Sequence, residues 1–314
     1  LIRVLRISSI NRIYKQNKTK QGLDFLNGVL DDCNIFFQIP EEDLKRIPKE
    51  GAFITVSNHP LGGIDGVLLL KLLIEKRTDY KIIGNFLLHR IEPLQPYIMP
   101  VNPFENHKDA KSSVVGIKET LRHLSDGKPL GMFPAGEVST YKDGKLIVDK
   151  PWEEGALKII KKAKVPVVPI YFHAQNSKLF YSLSKLNETL RTAKLPSELL
   201  TQKHRIIKVR IGKPISVNEL NEHESIPELG KFLRKKTYML SNSFEEENFK
   251  LTFPKFTSPK AAKQIVKPAN HEQIIEEINF LKEGDYQLLQ SKNYKVFLVT
   301  AEKIPNILHE IGRL

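Results

Sequence analysis

The strongest constraint on the fold is a recurring unit: an apolar run of strand length, a break rich in Gly and Pro, then a helical pattern. "GAFITVS" at 51–57 breaks into "NHPLGGID" and continues as the Leu-rich "DGVLLLKLLIEKR" at 65–77. "PLGMFP" at 129–134 leads through a polar stretch to "EEGALKIIKKAK" at 153–164, and "VPVVPIYF" at 165–172 follows directly. Length and Leu content assign 65–77 to a helix rather than a strand. "YKIIGNF", "YIMPVN" and "HRIIKVRIGKPI" read as further strands, and "DAKSSVVGIKETLRHLSDGK" as a helix ending at the Asp126-Gly127 turn signal. "GLDFLNGVLDDCNIFFQ" at 22–38 has helical spacing throughout. Strands alternating with helices of this length predict an α/β fold: a mixed, largely parallel sheet flanked by helices.

The texture changes beyond about residue 245. Residues 251–270, "LTFPKFTSPKAAKQIVKPAN", are rich in Pro and Lys and read as a linker. The tail carries a helix ("HEQIIEEINFLKE"), a strand ("YKVFLVTA") and the start of a helix ("IPNILHEIGRL"), too little for a convincing core of its own. It is expected to be an incomplete second α/β unit. The chain starts with Leu rather than Met, which points to a fragment or a trimmed chain.

Charge speaks to partners. Lys and Arg number 49 against 36 Asp and Glu, a net +13, which suits an anionic membrane surface or an acidic carrier protein. The basic residues are dispersed and lack interleaved aromatics, so nucleic acid is not expected. The most apolar stretch, "GVLLLKLLI", is far short of the ~20 residues of a membrane span. The first fifteen residues mix apolar residues and arginines and read as a packed helix or a lipid-surface contact, without the h-region of a signal peptide. Cys33 is the single cysteine, so no internal disulfide or cysteine cluster forms, and it is expected to be a small buried hydrophobe.

Four segments lie at or just beyond strand ends: "NHPLGGID" (58–65), "VNPFENHKDAKSS" (101–113), "FPAGEVS" (133–139) and "VPVVPI" (165–170). The carboxyl ends of strands are where open α/β sheets hold ligands, so a shared cleft is expected. Together, over about residues 25–220, these segments resemble the blocks of the glycerolipid acyltransferase family, the lysophosphatidate acyltransferase-like enzymes. The first, third and fourth blocks match in order and spacing. The resemblance implies that His59 takes the proton of an acceptor hydroxyl and that Asp65 orients and stabilises its imidazolium. Backbone N–H groups near Gly62, Gly63 and Gly136 are expected to stabilise the oxyanion. Asn58, Phe133, Pro134, Glu137, Asn102 and Lys108 complete the expected substrate-binding set, Asn58 by fixing the turn and Lys108 by meeting a phosphate. His89, His107, His123, His173 and His204 lack a comparable setting and read as ordinary histidines.

The departures from the family pattern are informative. Five residues, Pro60 to Ile64, separate His59 from Asp65 where the family has four, and the two glycines can absorb the extra residue. In the third block the family's Glu, Thr and Arg are Ala135, Glu137 and Val138; in the second, Asn102 and Pro103 stand where an arginine belongs. Those arginines suit a phosphate because a guanidinium forks onto it, so their loss argues against a glycerol-phosphate acceptor. The variant resembles the haemolysin-like branch, which acylates the hydroxyl of ornithine and glycine lipids. There the O-acyltransferase half is joined to an N-acyltransferase half with an N-acetyltransferase-like fold.

The resemblance thus implies an acyltransferase domain over 1–245, with 1–24 its basic and apolar helical lead, a linker over 246–270, and the start of an N-acetyltransferase-like domain over 271–314. The expected reaction moves a fatty acyl group from an acyl carrier protein or coenzyme A thioester to a lyso-lipid hydroxyl. No metal or other cofactor is expected. The expected location is the cytoplasmic membrane face, bound peripherally. Two alternatives stay open: acylation of a lysophospholipid, and a non-catalytic domain that binds lipid or acyl carrier protein.

Overall fold

A computed structural model of the chain describes residues 5–84, 86–100, 110–142, 146–184, 188–244 and 267–313. The chain divides into two compact units, Leu1–Asn248 and Phe249–Leu314. The first is built on strands β1 (Phe36–Gln38), β2 (Ile54–Ser57), β3 (Lys81–Gly84), β4 (Ile98–Pro100), β5 (Leu130–Met132), β8 (Val167–His173) and β9 (Ile206–Ile211). They form one seven-stranded sheet in the order β1-β9-β8-β2-β5-β3-β4. Every neighbouring pair is parallel except β8 and β9. A separate antiparallel hairpin, β6 (Thr140–Lys142) and β7 (Leu146–Val148), follows β5.

Helices cover both faces. On one side α2 (Gly22–Cys33) and α3 (Gly63–Ile74) contribute Phe25, Leu26, Leu69 and Leu73 to a core completed by Val168, Ile170 and Phe172 of β8. On the other, α4 (Ala110–Ser125), α5 (Glu154–Ala163) and α8 (Ile226–Tyr238) bring Leu124, Ile160 and Leu233 against Ile54, Val56 and Met132. Strand side chains alternate in direction, so a strand sandwiched this way must be apolar at nearly every position. β2 is buried at all four.

This topology locates the site. From β2 the chain runs through α3 to β3; from the adjacent β5 it runs through α5 to β8, on the far side of β2. Two neighbouring strands whose connections leave in opposite directions open a crevice at their carboxyl ends. The first and third motif segments follow β2 and β5.

Residues 22–38 are not one helix. Helix α2 stops at Cys33, Asn34 takes a left-handed φ of 48°, and Phe36–Gln38 pairs with β9 as an edge strand. A short polar residue tolerates that φ and ends the helix, a signal masked by the apolar spacing around it. Cys33 is fully buried, and burial pushes its thiol up to about 11. Ahead of α2, α1 (Ile7–Asn17) buries Ile13 and Asn17; the Asn17 amide donates to the Ile13 carbonyl and to Asp32.

The second unit holds α9 (His271–Glu283), an antiparallel hairpin of β10 (Gln287–Ser291) and β11 (Tyr294–Phe297), and α10 (Pro305–Arg313). Among its described residues only Leu281 is a buried hydrophobe. No described helix is long and apolar enough to cross a membrane.

Candidate active site

Strand β2 is followed by Asn58, whose side chain does the work of a peptide group. Its Nδ2 donates to the Phe172 carbonyl at 3.0 Å and its Oδ1 accepts from the Phe172 N–H at 2.8 Å, extending the ladder to β8. The chain then turns sharply through His59, Pro60 and Leu61. Gly62 has φ 80°, and a Cβ there would lie 2.9 Å from Leu195 Cδ2 and 3.1 Å from Val138 Cγ2. A side chain at Gly62 therefore meets both backbone strain and a clash. Gly62→Ala is expected to cost about 1–3 kcal/mol of stability, read by thermal unfolding, and to lower transfer activity by tilting the turn.

The turn delivers Asp65 to the third position of α3, where its carboxylate faces back along the chain. Oδ2 accepts from the N–H groups of Leu61 (2.8 Å) and Gly62 (3.0 Å) and lies 3.1 Å from His59 Nδ1. Asp65 is fully buried and its Oδ1 has no partner among the described residues. Burial pushes its carboxyl above the ordinary range, and the hydrogen bonds from His59, Leu61 and Gly62 pull the other way. Oδ2 already accepts from two N–H groups and so faces His59 as an acceptor; that assigns the imidazole proton to Nδ1 and leaves Nε2 with its lone pair. The ring stacks on Phe133 with centroids 4.2 Å apart, and the His59 side chain keeps 17% exposure.

The backbone of His59 is clamped as well. Its N–H points at both carboxylate oxygens of Asp149, at 3.2 and 3.3 Å, and its carbonyl accepts from the Ser139 N–H at 2.9 Å. Ser139 Oγ donates to Asp149 Oδ1 at 2.5 Å, closing the ring of contacts. Asp149 follows β7 and is itself held: Arg234 donates to its carbonyl and its N–H meets the Tyr238 hydroxyl. Asp149→Ala leaves buried donors unpaired and is expected to cost about 1–3 kcal/mol. It is also expected to lower kcat, whereas Asp149→Asn keeps an acceptor and recovers most of both, as melting and initial rates would show.

The remaining third-block residues shape the wall. Gly136 turns at φ 68° and its N–H donates to the Phe133 carbonyl, while the Pro134 carbonyl accepts from Glu153. Of the amides expected to face an oxyanion, those of Gly62 and Gly136 are therefore engaged within their own turns. Gly63 is exposed at the start of α3, and its N–H makes no backbone bond among the described residues. Glu137 meets Lys150 at 2.8 Å and Arg191 at 3.1 Å. Partial burial opposes its charge, but those two cations hold its carboxyl below the ordinary range. Asn102 and Lys108 lie outside the described residues.

Sequence reasoning missed three contributors. Asp149 sits in "IVDKPW", indistinguishable from any loop acid. Arg191 belongs to helix α7 (Glu188–Glu198), which follows α6 (Lys178–Ser184) and lies outside every motif segment. Asn176 is buried and donates from Nδ2 to the Pro60 carbonyl at 3.1 Å, bracing the turn from the segment after β8. Among the described residues no three His, Cys, Asp or Glu side chains gather as metal ligands.

The turn–histidine–aspartate arrangement can be set beside known proteins. The chain is 29% identical over 248 residues to a lyso-glycine lipid O-acyltransferase of Bacteroides thetaiotaomicron, covering 76% of this chain and 88% of that one. It is 28% identical over 244 residues to a lyso-glycine lipid O-acyltransferase of Phocaeicola vulgatus, covering 76% and 85%. Among solved structures, the lysophosphatidate acyltransferase PlsC of Thermotoga maritima is similar with a TM-score of 0.45 at 18% identity, over 77% of this chain and 83% of that one. The sequence pattern of one family, Acyltransferase, matches residues 1–247, about four-fifths of the chain. The chain belongs to the acyltransferase family.

Proposed function

We propose that this acyltransferase transfers a fatty acyl group from an acyl carrier protein or coenzyme A thioester to the hydroxyl of a lyso-lipid with an amino-acid head group, of the lyso-glycine lipid kind. The observation that carries the reading is the His59–Asp65 pair: a partly exposed imidazole with its Nδ1 committed to a buried carboxylate and Nε2 bare. Nε2 takes the acceptor hydroxyl proton as the oxygen attacks the thioester carbonyl carbon. The tetrahedral intermediate collapses, the C–S bond breaks, and the thiolate leaves with the proton returned by the imidazolium. Asp65 stabilises that imidazolium, so no covalent acyl-enzyme is needed. A base so placed is worth about 10²–10⁴-fold.

Two relatives named for lyso-glycine lipid support the acceptor class, as does the third block, where Val138 stands in place of the family's arginine. The reaction would take place at the cytoplasmic face of the membrane, with the basic surface of the chain against anionic lipid. Offering N-(3-hydroxyacyl)glycine, N-(3-hydroxyacyl)ornithine and lysophosphatidate with one labelled thioester tests the acceptor. Labelling of the glycine lipid above the others is expected; a preference for lysophosphatidate would overturn the aminolipid assignment.

A further inference from the structure

Behind the catalytic turn the same sheet edge holds a second concave feature. A cleft of about 380 Å³ opens at the carboxyl end of β8, bounded by Asn58, Pro60 and Ser139 on the side of the turn. These residues flank His59 in the chain or bond its backbone. Tyr171 and His173 of β8, Arg205 before β9 and Gln202 line the rest, with Tyr238 closing one wall. Tyr238 packs edge-on to Tyr171 at 5.7 Å, and Phe244 stacks on His173 at 4.6 Å.

The polar groups here divide sharply. Gln202 is spent on the Gln175 carbonyl and the Tyr238 hydroxyl on the Asp149 N–H. The Tyr171 hydroxyl, the His173 ring nitrogens and the exposed Arg205 guanidinium make no side-chain hydrogen bond among the described residues. Lys208 stands opposite His173 in the β8–β9 register, and burial together with the Lys208 charge holds the His173 imidazole below its ordinary range. Among the described residues no acid lines the cleft; Asp149, whose charge reaches Tyr171, is buried behind it and accepts from the His59 N–H and the Ser139 hydroxyl. Free donors, a cation at the rim and no free acid make a site for an anion. The polar lining, rather than the volume, suits a charged head group over an acyl chain.

We propose that this cleft binds the anionic head group of a substrate, with Arg205 as its charged ligand and the Tyr171 hydroxyl as a second donor. Resting on the proposed transfer reaction, the anion is either the carboxylate of the amino-acid lipid or a phosphate of the thioester donor. The neighbouring turn then receives the reacting end of the same molecule, so Arg205 sets affinity rather than the chemical step.

Direct binding separates this from turnover. Calorimetry with a soluble short-chain N-(3-hydroxyacyl)glycine, its glycinamide counterpart and coenzyme A would use the full chain, Arg205→Gln and Tyr171→Phe. Arg205→Gln is expected to weaken the carboxylate probe about ten- to a hundredfold, leave the weaker glycinamide unchanged, and melt at the wild-type temperature because Arg205 is exposed. Tyr171→Phe is expected to weaken the same probe severalfold. A loss confined to coenzyme A would support the cleft with the donor phosphate as its occupant. Wild type binding neither anion, or both anions binding Arg205→Gln as tightly as wild type, would overturn the proposal. Arg205-dependent binding without any acyl transfer would overturn the transfer reaction alone.

Discussion

Asp65→Asn is expected to lower kcat for acyl transfer by about 10²–10⁴-fold while the chain still folds. Asp65 Oδ2 gathers three donors: two backbone N–H groups of the turn and His59 Nδ1. An asparagine oxygen can still accept from the turn, so the local fold is expected to survive. What is lost is the negative charge that stabilises the imidazolium and the acceptor that compels Nδ1 to hold the proton. The loss should fall on kcat rather than KM, because it concerns a charge that develops only during reaction. Initial rates across acceptor concentrations, with circular dichroism to confirm folding, would check this. An unchanged kcat would remove Asp65 from the mechanism.

The second large effect is on stability and lies in the segment that braces the turn. Lys194 and Glu198 pair at 2.7 Å on α7, with side chains 4% and 0% exposed. The Ser177 N–H and hydroxyl and the Thr201 hydroxyl also donate to that carboxylate, and Lys194 donates to Ser197 Oγ. Such a network is satisfied only as a whole. Glu198→Gln strands a buried ammonium and is expected to cost about 3–5 kcal/mol, roughly 6–20 °C in Tm. Replacing both partners with apolar residues of similar size should recover much of it, since the surviving charge is then gone.

The same pair carries a pH signature. Burial opposes the Glu198 charge, but Lys194 and Ser177 outweigh it and hold the carboxyl below its ordinary value. A depressed carboxylate contributes its full stability above the unfolded value of ~4.3 and loses it as pH falls through the folded value. The Tm gap between wild type and Glu198→Gln is therefore expected to be constant from pH 6 to 8 and to narrow below about pH 4. Melts across that range would check it, and a gap that widened in acid would contradict it.

The meeting of His59 and Asp65 was legible because the two residues are close in sequence. His59 and Asp65 lie within one turn, and the glycine between them that must take φ 80° is visible as a residue type. The parallel α/β core was legible for a related reason: β2, β5 and the first four residues of β8 are buried on both faces and so read as largely apolar runs. The edge was harder to see. β1 has three residues and an exposed Phe36, and apolar spacing alone merged it with α2. The supports of the turn were invisible because they are long-range. Asp149 reaches His59 across ninety residues and Asn176 reaches Pro60 across 116. A single polar residue carries no period to betray such a contact. The partners of Glu137 were equally invisible, since Lys150 and Arg191, which meet its charge, lie outside its segment.

The central claim is that His59 acts as the base for transfer of an acyl group to a lipid hydroxyl. It is tested most directly by the initial rate of labelled acyl transfer from acyl carrier protein to N-(3-hydroxyacyl)glycine, with wild type and His59→Ala side by side. An ester product in wild type and a rate lowered by about 10²–10⁴-fold in His59→Ala are expected. Equal rates in the two, or no ester product from wild type, would contradict the account.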